Sequence, residues 1–224
     1  MLTVAATVVL VALTWSFALR PANAGTAWTL LGPCAAYAIV SALAILRMRR
    51  EGVLAATLRP RSGDLTLGAL VAAMLFFGAL LVKTTLAPHA TGREGWLIRI
   101  YMQIGDPEAV QRHLLALCLG VALLAALEEI AWRGYVYSVL RERLGVRIAW
   151  PLTALLYAAA HGPTVVLLRD PFAGPNPLVV IGTLGCGLVW GVLVARTSRL
   201  PVAMFSHALL LWAVALQFPL WRLG

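Results

Sequence analysis

Apolar residues along this chain come in long unbroken runs. Seven stretches, at about 3–19, 27–46, 65–86, 110–139, 149–162, 178–195 and 201–218, carry almost no charge. The short segments between them gather the arginines, prolines and glycines. Several runs approach the roughly 20 residues that an α-helix needs to cross a bilayer. A transmembrane barrel would need alternating polar and apolar positions, which such runs lack. The pattern therefore predicts an all-α, polytopic transmembrane helical bundle of about seven spans. The fourth run exceeds a bilayer thickness, so its "YSVLRERLG" end is expected to project into water. The fifth is short, and the seventh begins behind Pro201.

Composition supports the same class. Of 224 residues, 61% are hydrophobic and 12% charged, against about a quarter charged in soluble domains. The net charge of +9 is almost wholly arginine, with Lys83 the only lysine. These charges lie between apolar runs, which makes them topology signals beside a membrane and argues against a nucleic-acid surface. One set of alternate loops holds Arg47, Arg49, Arg50, Arg59, Arg61, Arg141, Arg143, Arg147, Arg196 and Arg199. The other holds Arg20, Arg93, Arg99, Arg112, Arg169 and Arg222. The denser set is expected in the cytoplasm, with the N-terminus inside and the C-terminus outside. Cys34, Cys118 and Cys186 lie in apolar runs without CxxC spacing, so they suggest neither a disulfide framework nor a zinc knuckle. Ala22-Asn23-Ala24 has the form of a signal-peptidase site. No positive charge precedes the run before it, however, and that run is long for a signal peptide, so a retained first helix is expected. Residues 92–113, "GREGWLIRIYMQIGDPEAVQRH", mix Trp96, Ile98, Tyr101 and Ile104 with charges, which fits an outer interfacial segment or an ordinary loop.

Most ionisable residues fall in loops or at span ends. Glu128, Glu129, Arg133, His161 and His207 instead lie inside apolar spans. Each acid or arginine there is unfavourable by about 2.5–3.5 kcal/mol on insertion scales. Five such groups on three spans are tolerable only if they meet, so the fourth, fifth and seventh spans are expected to converge on one polar cavity. Glu129 and Arg133 are four apart and share a helix face, where they can pair. Glu128 is rotated about 100° from Glu129, which leaves it free to face His161 and His207. An unpaired carboxylate beside imidazoles can hold a water and take its proton. Tyr157, one turn before His161, can pack beneath that ring or bond to it. "GTLGCGLVWGVLVAR" holds Gly182, Gly185, Gly187 and Gly191, which predicts tight packing of the sixth span.

Three motifs in order resemble those of the CAAX-processing and bacteriocin-processing (CPBP, or Abi) intramembrane proteases. "EEIAWRG" resembles their EExxxR motif, and "YAAAH" resembles a second motif with an aromatic residue four before a histidine. "GLVWGVLVARTSRLPVAMFSHALLL" is similar to their closing glycine-rich and histidine helices. The resemblance covers about 110–212. It divides the bundle into N-terminal helices with an interfacial segment, 1–109, and a catalytic helical core, 110–218. It implies peptide-bond hydrolysis within the membrane, with Glu128 and His161 activating water and His207 stabilising the oxyanion. Glu129, Arg133 and Tyr157 would organise the site. The family often carries Asn or Asp four residues after the last histidine, where this chain has Leu211, which cannot donate a hydrogen bond. Loss of one oxyanion donor costs about 2.7–4 kcal/mol in well-studied cases; Ser206 and a backbone amide are candidate substitutes. HExxH spacing is absent, and a metal-free glutamate mechanism is expected. Glu128, His161 and His207 would be the ligands of an alternative zinc site.

The expected activity is therefore that of an intramembrane endopeptidase acting on a membrane-anchored protein or peptide in the lipid bilayer, with no nucleic-acid partner. The arginine-rich, lysine-poor composition fits a bacterial plasma membrane protein. Two alternatives stay open: a non-catalytic immunity or scaffold protein that retains the fold, and a small proton-coupled transporter.

Overall fold

The computed structural model describes residues 1–220, so Arg222 lies outside the described residues. Each apolar run forms a helix. In order these are α1 (Leu2–Ala18), α2 (Trp28–Arg50), the short α3 (Leu54–Leu58) and α4 (Asp64–Leu86). Two small helices follow, α5 (Glu94–Met102) and α6 (Pro107–Arg112). Next α7 (Leu114–Glu129) passes through a widened, π-helical segment (Ile130–Val136) into α8 (Tyr137–Leu144). The chain closes with α9 (Val146–Ala160), α10 (Thr164–Leu167), α11 (Leu178–Thr197) and α12 (Pro201–Leu211), the last extended by a second π-helical segment, Trp212–Gln217. No strand occurs among the described residues.

Among the described residues four helices are long and apolar enough to cross a membrane: α2, α4, the continuous α7–α8 rod and α11. At 1.5 Å per residue, the 15 residues of α9 reach about 22 Å, short of the roughly 30 Å hydrocarbon core. The protein is an integral, polytopic helical membrane protein. Large apolar side chains such as Leu13, Leu43, Phe77, Leu119 and Leu123 face outward, as lipid contact requires. Inside, Tyr37, Trp132, Val136, Leu140, Trp190 and Leu200 belong to one buried core.

The fourth span differs from the unbroken helix expected over 110–139. Asp106 caps α6 by accepting from the Glu108 amide at 3.3 Å, and Pro107 occupies the first helical position. This is a strong start signal. That helix ends at His113, and α7 starts afresh at Leu114.

Two groups of loops lie at opposite ends of the bundle. At one end Arg47 pairs with Glu51 at 2.7 Å and with Glu142, Arg199 pairs with Asp64 at 2.8 Å, and the Leu200 amide donates to Thr57 O at 3.0 Å. At the other, the Gly25 amide donates to Gln103 O at 3.0 Å, Trp96 Nε1 to Gly174 O at 3.2 Å and Asn176 Nδ2 to Trp96 O at 2.9 Å. The backbones of Gly25 and Gly105 touch, since a Cβ on Gly105 would sit 2.9 Å from Gly25 Cα. At this end the Ala173 and Phe172 amides, with Arg99 beyond, hold the Asp170 carboxyl below the usual carboxylate range. The mixed segment 92–113 forms α5 and α6. Trp96 and Leu97 are buried while Ile98 and Met102 are exposed, so α5 is half embedded. Tyr101 Oη donates to Val214 O at 2.6 Å and accepts from the Leu220 amide at 2.8 Å, and burial pushes its phenol up to about 12.

Helix α11 packs on α9 through two of its glycines. A Cβ on Gly187 would meet Ala154 Cβ at 3.2 Å, and one on Gly191 would meet Trp150 O at 3.3 Å. The tight packing expected of all four glycines is confined to these two, because Gly182 and Gly185 would meet nothing within 4 Å.

Candidate active site

Glu128 and Glu129 end α7, where the widened turn begins; such turns often accompany functional sites. Consecutive helical residues point about 100° apart, so the two carboxylates meet different neighbours. Glu129 is wholly buried. Its Oε1 accepts from Arg133 Nη1 at 3.1 Å and from His207 Nδ1 at 2.9 Å. Arg133 also donates from Nη2 to Gly187 O at 3.3 Å, and its guanidinium lies 4.8 Å from the Tyr157 ring centroid and 5.4 Å from that of Trp190. Glu129 Oε2 and Arg133 Nε have no hydrogen-bond partner among the described residues.

Glu128 accepts a 2.7 Å hydrogen bond from Tyr157 Oη on α9. His207 Nε2, on α12, lies 3.9 Å from the same carboxylate oxygen. An ionised carboxylate only accepts, so the His207 proton is assigned to Nδ1, facing Glu129. The ring stacks on Trp190 at 4.0 Å and 25°. His161 ends α9, and its Nδ1 lies 2.8 Å from the Tyr157 carbonyl. A carbonyl also only accepts, so Nδ1 carries the proton and Nε2 of the neutral ring keeps its lone pair. The Tyr157 ring meets His161 edge-on at 4.8 Å, with Trp15 of α1 on another side at 5.3 Å.

These six residues come together, with one change from the helical-wheel expectation. The Glu129–Arg133 pair forms, but His207 hydrogen-bonds to Glu129, not Glu128, because the Glu129 face of α7 meets α12. Tyr157 takes both parts foreseen for it in a different form: its ring packs on His161, while its hydroxyl binds Glu128 and its carbonyl binds the histidine. Ser206, considered as a replacement donor, accepts from Trp190 Nε1 at 3.2 Å through its oxygen and keeps its own O–H to donate. Sequence reasoning missed Trp15, Tyr37, Trp132 and Trp190. Tyr37 Oη receives Nε1 of Trp132 at 3.4 Å and of Trp15 at 3.5 Å. Indole N–H groups seek partners when buried, and tryptophans inside apolar runs were the available signal.

A cavity of about 590 Å³ adjoins this cluster, bounded by α4, α5, α11 and α12. Its wall is chiefly apolar and includes Tyr157, Trp190, His207 and Leu211. Among the described residues no three His, Cys, Asp or Glu side chains lie close enough to hold a metal ion. Each histidine turns its Nδ1 to a protein oxygen, Glu129 Oε1 for His207 and the Tyr157 carbonyl for His161.

Fold and site together define a helical membrane protein whose buried glutamates, arginine and histidines form two adjoining hydrogen-bonded groups, Glu129–Arg133–His207 and Glu128–Tyr157–His161, beside an apolar cavity. Residues 110–213 match the model of the type II CAAX prenyl endopeptidase Rce1-like family. The match spans 104 of the 224 residues and contains all six clustered residues. No curated protein and no solved structure matches the chain. Trp15 and Tyr37 reach the cluster from helices outside the matched segment.

Proposed function

We propose that this protein is an intramembrane endopeptidase that hydrolyses a peptide bond in a membrane-anchored protein or peptide, using water activated by Glu128 and His161. The observation that carries the reading is the unequal treatment of the two glutamates. Arg133 and His207 both bond Glu129, whereas among the described residues Glu128 accepts a hydrogen bond only from the neutral Tyr157 hydroxyl and is left to engage a water. Glu128 takes a proton from water as the water oxygen bonds to the scissile carbonyl carbon. His161 Nε2, with its lone pair, holds that water in line. His207, held by Glu129 and Trp190, faces the developing oxyanion and, when protonated, donates to it from Nε2. The C–N bond then breaks, and the proton held by Glu128 passes to the leaving nitrogen.

The reaction needs no metal. Chelation therefore leaves cleavage unchanged, and a loss restored by zinc would count against this mechanism. The substrate reaches the site from the bilayer, in a bacterial plasma membrane with the N-terminus in the cytoplasm. Leu211 on the cavity wall favours a second reading, a non-catalytic membrane immunity or scaffold protein, because it offers the oxyanion nothing.

Comparing membrane-protein termini in cells with wild type or Glu128→Gln, at matched expression, separates the two. A terminus present only with wild type identifies proteolysis and its substrate. Identical termini with a phenotype still rescued by the variant would sink the catalytic reading.

A further inference from the structure

Tyr37 of α2 is wholly buried, and two indoles meet at its hydroxyl. Trp132 Nε1 donates to Tyr37 Oη at 3.4 Å and Trp15 Nε1 at 3.5 Å. An indole nitrogen only donates, whereas a phenol both donates and accepts. Tyr37 is the acceptor in both bonds, so its own proton is given to neither. Among the described residues nothing accepts that proton. A buried donor left without a partner is unfavourable. Both indole bonds are also long against the usual range of about 2.7–3.2 Å, which makes them a weak reason for a phenol where a phenylalanine would pack.

The neighbours fix where the hydroxyl stands. Trp15 lies 5.3 Å from the His161 ring, and Trp132 meets the Tyr157 ring edge-on at 5.3 Å. Tyr157 in turn donates to Glu128. One turn along α2, Ser41 Oγ donates to the Leu127 carbonyl at 2.9 Å, which seats α2 against the turn that carries Glu128. The Glu128 charge acts directly on Tyr37. One indole therefore brackets the hydroxyl from the His161 side and the other from the Glu128 side. By holding the oxygen's acceptor positions, the two indoles leave its O–H to turn toward the space that Glu128 and His161 face.

We infer that Tyr37 is a further catalytic residue, whose hydroxyl donates to the same water that Glu128 and His161 engage. The inference rests on the proteolytic reading above. A water has two protons and two lone pairs. It gives one proton to a hydrogen bond with Glu128 and the other to His161 Nε2, since both groups are acceptors. Tyr37 O–H takes one lone pair, and the last is left for the scissile carbonyl carbon. Two acceptors alone let the water swing about the line between them. The third contact aims the attacking lone pair, and such orientation is worth much of a barrier. Tyr37 keeps its proton throughout, because the proton that leaves the water goes to Glu128. Helix α2 lies outside the matched residues 110–213, so this group is supplied by the N-terminal helices.

The test uses purified full-length protein in liposomes and a quenched-fluorescence peptide carrying the sequence around the terminus found by the comparison above. Tyr37→Phe should lower kcat about tenfold, the upper end for one neutral hydrogen bond, with KM within about twofold. In the Glu128→Gln background it should leave the anisotropy-derived Kd of that peptide unaltered, because the hydroxyl touches the water and not the peptide. An unchanged kcat overturns the inference. So does a fall in kcat matched by weaker binding, which would mark a disturbed fold. A second arm needs no substrate and no change at Tyr37. With isotope-labelled tyrosine placed at position 37 alone, the infrared C–O stretch of the phenol reports whether its hydroxyl donates. Glu128→Leu removes the water's anchor and should shift that band, and an unmoved band overturns the inference whatever happens to kcat. A shifted band in a protein that cleaves nothing would refute the protease and keep the water shared by Tyr37 and Glu128.

Discussion

Replacing Arg133 by methionine tests whether the buried cluster is held by charge compensation. Arg133 is 2% exposed and Glu129 0%. Among the described residues their 3.1 Å contact supplies the one guanidinium or ammonium bonded to that carboxylate, with His207 Nδ1 its other donor. Methionine keeps much of the arginine's apolar stem but leaves Glu129 uncompensated, a change that destabilises buried pairs by about 3–5 kcal/mol. The lost charge-assisted bond to Gly187 O, about 1.5–3 kcal/mol, is counted as part of that loss. At about 2–4 °C per kcal/mol for a chain of this size, the melting temperature should fall by roughly 6–20 °C. The double variant Glu129→Gln/Arg133→Met removes both charges and should recover about 2–3 kcal/mol, a coupling typical of residues in one network. The assay is a tryptophan-fluorescence melt of detergent-solubilised protein for wild type, both single variants and the double. If Arg133→Met melted within 2 °C of wild type, or the double melted no higher than the single, charge compensation would not be what holds the pair.

Trp15→Ala removes the ring that sits 5.3 Å from His161, so Glu128-dependent cleavage should fall about 2- to 10-fold, the equivalent of one ring–ring contact of about 0.5–1.5 kcal/mol. Trp15→Phe should restore most of it, and equal activity of all three proteins would show that α1 does not position the histidine. Asp170→Asn should lower the melting temperature at pH 7. Asp170 titrates lower folded than its unfolded value of about 3.9, so its contribution is present above that value and lost as pH falls through the folded pKa. The gap between wild type and variant should therefore close in acid, and a gap independent of pH would refute the role given to the charge.

The helices and the cluster were legible for the same reason: in apolar surroundings each polar residue is expensive and therefore informative. Five ionisable side chains on three apolar runs had to meet, and Glu129 with Arg133 had to pair by spacing alone. The partner of His207 was not legible, because which face of α7 meets α12 depends on packing across the bundle. The widened turn at Ile130–Val136 was hidden for a similar reason: a π-helical turn leaves no composition signal. Glycine spacing misled in half of its instances. Gly187 and Gly191 admit α9, whereas Gly182 and Gly185 face empty space, and the difference lies in the neighbours.

The same logic accounts for where the chemistry can sit. A carboxylate that is to act as a base must stay ionised yet not be satisfied, and buried carboxylates meet the first condition only through partners. Adjacent glutamates divide the task. Glu129 collects Arg133 and His207 and anchors α12 to α7, which brings His207 Nε2 to 3.9 Å from Glu128. Glu128 is spared those partners and keeps one neutral donor, Tyr157, which also orients His161 through its carbonyl. Removing Glu129 would therefore release α12 and leave Arg133 uncompensated, whereas removing Glu128 breaks only the hydroxyl bond from α9. A variant series in which Glu128→Gln keeps the melting temperature and loses cleavage, while Glu129→Gln lowers both, is what this division requires.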